Sequence, residues 1–254
     1  MYKENPMSTS VFTSRVNPKR ILKILLGITF SLAILNLIAM YLRFFPERYQ
    51  VYSLLHEFFL DIYIDRFIMN TEMNFPTYFA TFQLLAASIL FFIIAAWKKT
   101  EKDKYRHHWK GLAFLLLLFS VDEFTAMHER LEKLFKDLPD FNGLFYFKWV
   151  IPGIAFLFLF GLLYLMFFFH LEKKYKILFL SSAVLFFGGA LGFEIIGGRF
   201  ANYNDTRNFT FYMLATIEEI LELGGIALLI YSLLDYIKKH TPEIHLLLND
   251  GQEK

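Results

Sequence analysis

The chain has 254 residues, a formal net charge of +2, 56% hydrophobic and 19% aromatic residues including 32 Phe, and no Cys. The apolar excess is above that of ordinary soluble domains, which argues against disordered or collagen-like sequence, and the near-neutral charge leaves no basic footprint for nucleic acid. Without Cys there are no disulfides, Fe–S clusters, thiolate metal sites or cysteine nucleophiles.

The apolar residues fall in long blocks, so an all-α, polytopic integral membrane protein is expected. A helix crossing the bilayer core needs about 20 apolar residues. Six such stretches are predicted: Ile24–Leu42, Pro76–Trp97, Gly111–Glu129, Phe147–His170, Ile177–Gly198 and Thr210–Ile237. They form one six-helix transmembrane domain, 21–237, between a polar, basic cytoplasmic leader (1–20) and a cytoplasmic tail (238–254). The long polar leader and the lack of a small-x-small site make the first stretch a retained helix rather than a signal peptide. Between the first two spans, Tyr49–Ile68 reads as an amphipathic outer helix with Glu57, Asp61 and Asp65 on one face. With His56 beside Glu57, this segment is expected to act as a lid or re-entrant piece, so the outer lid residues are His56, Glu57 and Asp61.

Orientation follows from the loop cations. With both termini cytoplasmic, the inner segments hold 17 Lys/Arg against 8 acids, and the outer parts 9 against 16. Lys98 to Arg106 is the strongest inside signal, and Trp97, Trp109 and Trp149 fall at span ends, where indoles prefer to sit. The protein is expected in a plasma or inner membrane, N-in and C-in, with an acidic outer surface that gathers cations.

Several acids lie too deep to be surface residues. Asp122 and Glu123 fall near the middle of the third span, with His128 and Glu129 at its outer end. Glu194 lies one turn from the end of the fifth span, and Glu218, Glu219 and Glu222 lie two to three turns into the sixth. A charge in hydrocarbon costs at least ~2.5–3.5 kcal/mol, so these groups must face protein, water or a bound cation. Asp122 and Glu129, seven apart, are predicted to share a face, as are Glu218 and Glu222 at i, i+4. Gly188, Gly189, Gly192, Gly197, Gly198, Gly224 and Gly225 predict close packing of the last two spans beside the acids.

These residues point to a cation site. Asp122, Glu123, Glu194, Glu218, Glu219 and Glu222 are the expected ion or proton site. His128, Glu129, Asp122, Glu218 and Glu222 are the candidate ligands for a divalent metal such as Zn, Mn or Fe. The bland alternative pairs the acids with Arg130, Lys133, Arg199 or Arg207. No haem, Fe–S or nucleotide motif occurs, and no His-Glu-x-x-His or Glu-x-x-His pattern. His107-His108 reads as a solvated part of the basic loop. Val121-Asp122-Glu123-Phe124 echoes Ile217-Glu218-Glu219-Ile220, as an inverted repeat would. Ion transport or conduction is the leading function. An intramembrane metal-dependent enzyme acting on a lipid-like or extracytoplasmic substrate is the alternative, and a non-catalytic subunit or sensor the third. Expected partners are the lipid bilayer, cations and further copies of the chain, with no nucleic acid.

Overall fold

The computed structural model describes residues 16–51, 53–127, 130, 143, 146–201, 203–204 and 206–240. Among these every regular element is helical: α1 (Pro18–Phe44), α2 (Leu54–Phe67), α3 (Phe75–Thr100), α4 (Arg106–Thr125), α5 (Val150–His170), α6 (Lys173–Phe187), a π segment (Gly188–Phe193), α7 (Glu194–Ala201) and α8 (Phe209–His240). Five of the helical stretches are long and apolar enough to cross a membrane: α1, α3, α5, the run from α6 through α7, and α8. The described residues are thus all-helical, with helices of the length and composition of membrane spans.

The helices begin where side-chain oxygens satisfy their first amides. Asn17 accepts from the Lys19 amide at 3.1 Å, with Pro18 next in the first turn of α1. Ser53 accepts from His56 at 3.2 Å, Asn74 from Thr77 at 2.9 Å, and Asn208 from Phe211 at 3.0 Å. Each cap fills one of the four orphan N–H groups that open a helix. Lys98 and Lys99 close α3, and Lys238, Lys239 and His240 close α8, complementing the negative helix C-termini.

Cross-links fix how the helices run. Asn36 of α1 bonds Thr216 of α8 at 2.8 Å, while Phe44 meets Tyr212, so α1 and α8 are antiparallel. Ser120 donates to the Thr81 carbonyl at 3.0 Å and Ser88 to that of Ala113 at 2.7 Å, which sets α3 and α4 antiparallel. Trp97 lies against Tyr236 while Ala80 clusters with Leu223, so α3 and α8 run the same way. Lys174 pairs with Asp235, and Gly225 abuts Phe186, making α6 antiparallel to α8.

One end of the bundle collects the cations. There Lys98 bridges Glu101 and Asp103 at 3.0 and 3.3 Å, and Glu172 pairs with Lys239 and His240. Beneath them an aromatic layer surrounds Trp109, 2% exposed, with Phe167, Phe91 and Tyr236 around its ring. His108 belongs to this layer and not to a solvated loop. Its ring stacks on Phe167 at 5.6 Å and meets Tyr105 and Tyr164 edge-on. The opposite end, where α1 stops and α3 and α8 start, carries the acids.

One expectation on the third span is corrected. Its helix stops at Thr125, because Ala126 takes the left-handed conformation (φ 49°) and its amide closes onto the Asp122 carbonyl. Asp122 and Glu123 thus sit in the last turn of α4, not mid-span. Glu129, expected to share a face with Asp122, lies outside the described residues.

A carboxylate layer at the acidic end

The site is built on α8. Within this helix, Glu218, Glu219 and Glu222 are half-buried, and none of them has a hydrogen-bonded partner among the described residues. The π segment lies directly against them. A Cβ added to Gly189 would fall 2.8 Å from the Glu218 carbonyl oxygen and 2.9 Å from Glu222 Cγ. Only a glycine lets the two backbones come this close. The predicted close packing of the last two spans is present here and again at Gly225, whose Cβ would meet Phe186 N at 2.7 Å. The helix widens to π geometry over Gly-Gly-Ala-Leu-Gly-Phe, and Glu194 is the residue that resumes the α-helix. Such bulges recur at functional sites. Glu194 Oε1 accepts from Trp149 Nε1 at 3.0 Å, and it opens α7 rather than standing one turn from its end.

The other carboxylates reach the same level from different elements. Ser120 is bonded to α3, and Glu123 follows it by three residues, one turn closer to the acidic end. Asn36 is bonded to Thr216, and Glu219 follows Thr216 by three residues. A further acid arrives on the loop between α2 and α3. Asn36 Oδ1 accepts the Met69 amide at 2.9 Å, Asn74 donates to the Ile68 carbonyl at 2.6 Å, and Asn36 and Asn74 are 1% and 0% exposed. These two amides hold a buried loop, and the loop carries Glu72.

The charges confirm the convergence. Glu218 feels Glu194 and Glu219; Glu219 feels Glu123, Glu222 and Glu72; Glu222 feels Glu218, Glu123, Glu194 and Glu72. The charges that act on Glu218 and Glu219 are thus carboxylates. Arg130, Arg199 and Arg207 are exposed at the surface, and Lys133 lies outside the described residues. Arg130, Arg199 and Arg207 are not among the charges acting on Glu218 and Glu219. Asp122, half-buried at the end of α4, stands beside Glu123 and is not among the groups acting on the α8 acids.

A helix forms within the expected segment, but over Leu54–Phe67 rather than Tyr49–Ile68, and it is not cleanly amphipathic: Leu54, Leu55, Phe58 and Phe59 are exposed beside its acids. Ile64 and Ile68 pack against Ala39, Met40 and Tyr212, and Tyr63 donates to the Leu35 carbonyl at 2.9 Å. Glu57 and Asp61 are exposed on its flank and His56 is half-buried, and none of the three is among the groups acting on Glu218, Glu219 or Glu222. Among the described residues no three His, Asp or Glu side chains are grouped to hold a metal ion. His128 and Glu129 lie outside those residues.

Three polar residues of this region stand outside the sequence expectations: Glu72, Asn36 and Gln83. Gln83 is 2% exposed on α3, and neither of its amide atoms has a hydrogen-bond partner. The signal for Asn36 and Gln83 was their polarity inside apolar runs, where amides are costly unless they serve packing or function.

No curated protein and no solved structure matches the chain. A family described as "Domain of unknown function (DUF8692)" matches residues 25–236, which takes in the helices and every carboxylate of the layer. The chain belongs to that family.

Proposed function

We propose that the carboxylate layer binds a cation, a proton or a divalent metal such as Zn, Mn or Fe, and that the protein moves it across the membrane. One observation carries the reading. Carboxylates from α4, α7, α8 and the α2–α3 loop meet at one level, and the charges acting on Glu218 and Glu219 are other carboxylates. Neighbouring carboxylates cannot all be ionised without a compensating charge, and a proton or a metal ion at Glu218, Glu219 and Glu222 supplies it.

The same reading makes α4 a sixth span. It is less apolar than the other five, but its bonds from Ser120 to Thr81 and from Ala113 to Ser88 pin it at the depth of α3. With the cation-rich end cytoplasmic, both termini are inside and the carboxylates open outward. Below the layer, Leu84, Phe91, Leu116, Ile226 and Ile230 form a dry core. Passage to the far side therefore requires rearrangement, and the π segment is where the helix against the layer departs from regular α geometry.

Reconstitution in vesicles tests this. Wild-type protein is expected to carry protons or a divalent cation down an imposed gradient, and Glu218→Gln and Glu222→Gln each to abolish the flux. Wild-type flux in both variants would rule the reading out. A second reading, an enzyme acting on a lipid-like substrate through the same carboxylates, is favoured by an apolar cavity that ends beside them.

A further inference from the structure

Helix α5 is tied to the bundle at both ends and stands away from it in the middle. At the acidic end Trp149 donates to Glu194 at 3.0 Å, and Leu191 Cδ2 lies 3.1 Å from where a Gly153 Cβ would be. At the basic end the Tyr164 hydroxyl donates to the His108 carbonyl at 3.2 Å, and Phe167 stands edge-on to Trp109 at 5.0 Å. Between these ties lies a cavity of about 410 Å³, walled by Leu116 and Phe119 of α4, Phe160 and Gly161 of α5, and Ala183 and Phe186 of α6.

The wall offers a ligand nothing polar. Its two hydroxyls are committed, Tyr164 to the His108 carbonyl and Ser182 to the Leu178 carbonyl at 2.8 Å. The cavity follows α5 from Leu157 to Leu171, about 21 Å of helix rise. That exceeds half of a ~30 Å hydrocarbon core, the depth reached by one lipid chain. At its acidic end the cavity stops one turn short of the carboxylates. Phe119 precedes Asp122 by three residues, Phe186 precedes Gly189 by three, and Gly225 follows Glu222 by three. A chain lying in the cavity delivers its head group to the carboxylate layer, where a cation is the complementary charge.

We infer that α4, α5, α6 and α8 form a binding site for a membrane amphiphile with one alkyl chain and an ammonium head. The chain occupies the cavity, and the ammonium sits at Glu218 and Glu222, which flank Gly189. This assigns a ligand where the readings above assign an activity; it shares the carboxylates with both and the cavity with the second.

Equilibrium binding of radiolabelled dodecylamine to the detergent-purified full chain, with dodecanol and hexylamine as competitors, tests the assignment. Wild-type protein is expected to bind one dodecylamine saturably, and hexylamine to compete at least about 100-fold more weakly, since each methylene contributes to burial. Gly161 lines the cavity and a Cβ there meets no atom within 4 Å, so Gly161→Phe places a ring at the wall and should cut binding at least about tenfold. Should that variant fail to fold, Ala183→Leu narrows the same cavity. In Glu218→Gln/Glu222→Gln, dodecanol should compete as well as dodecylamine. Undiminished binding in the filled variant, or equal competition by dodecanol against wild-type protein, overturns the proposal. Absence of ion flux through wild-type protein that still binds the amine sinks the transport reading alone.

Discussion

Gly189 and Glu222 are in contact through the one position on Gly189 where any other residue would carry a side chain, with 2.9 Å separating Glu222 Cγ from that point. The Glu218 carbonyl lies 2.8 Å from it on the same side, so backbone as well as side chain blocks a methyl group. Gly189→Ala is expected to push α8 away, to displace Glu222, and to cost about 1–3 kcal/mol, as overpacking does. Gly192→Ala is the matched control, because nothing lies within 4 Å of its Cβ. Denaturant unfolding in mild detergent separates the two. Equal stability of the two variants would mean that this contact is not tight.

A second pair of adjacent glycines gives the same contrast on one helix. A Cβ on Gly225 would meet Phe186 N at 2.7 Å and Ser182 O at 3.0 Å, both backbone atoms that cannot swing aside. Gly224, next to it, has open space. Gly225→Ala should destabilise by about 1–3 kcal/mol. Gly224→Ala should be neutral or raise stability by up to ~1 kcal/mol through helix propensity. Melting temperatures of the two purified variants decide it.

Asn36 holds the loop that brings Glu72 to the layer. Asn36→Leu keeps the volume but leaves the Met69 amide without its acceptor, while the Thr216 hydroxyl still donates to the Tyr212 carbonyl. The expected loss is about 1–3 kcal/mol, the cost of an unsatisfied buried donor. Faster amide exchange at residues 68–74 should accompany it. Unchanged exchange there would show that the loop is held by Asn74 alone.

At the basic end, the Lys239 ammonium and then His240 hold the Glu172 carboxyl below the usual carboxylate range. A depressed folded-state value stabilises the protein above the unfolded pKa of ~4.3, and that stabilisation is lost as the pH falls through the folded value. Melting curves of wild type and Glu172→Gln should therefore differ at neutral pH and converge on acidification. Because Glu172 is fully exposed, the difference should shrink in high salt. A gap that widens toward low pH would contradict the assignment.

Much of this was legible from residue order alone. Apolar runs bounded by Lys and Trp located the long helices, since about 20 apolar residues have few other uses. Gly-Gly pairs beside acids located the close approach of α6 and α8. The end of α4 was hidden because Ala126 carries the left-handed cap that Gly or Asn usually supplies, so no breaker appears. Glu72 was hidden for a different reason: it lies between elements, and only the bonds of Asn36 and Asn74 fold its loop back into the bundle. The register of His108 was hidden too, because a Lys- and Arg-rich neighbourhood looks solvated until Phe167 stacks on it.

The π segment also decides how Glu194 is aimed. A π turn spends one residue more than an α turn to cover the same path, and one residue on a helix is about 100° of rotation. Glu194 comes immediately after that extra residue. Its carboxylate is therefore directed toward Trp149 and the α8 acids by a count of residues, whatever their chemistry. A chain one residue shorter here could run as a plain α-helix and keep the same aim, whereas the present length drawn tight into an α-helix would turn Glu194 out of the layer.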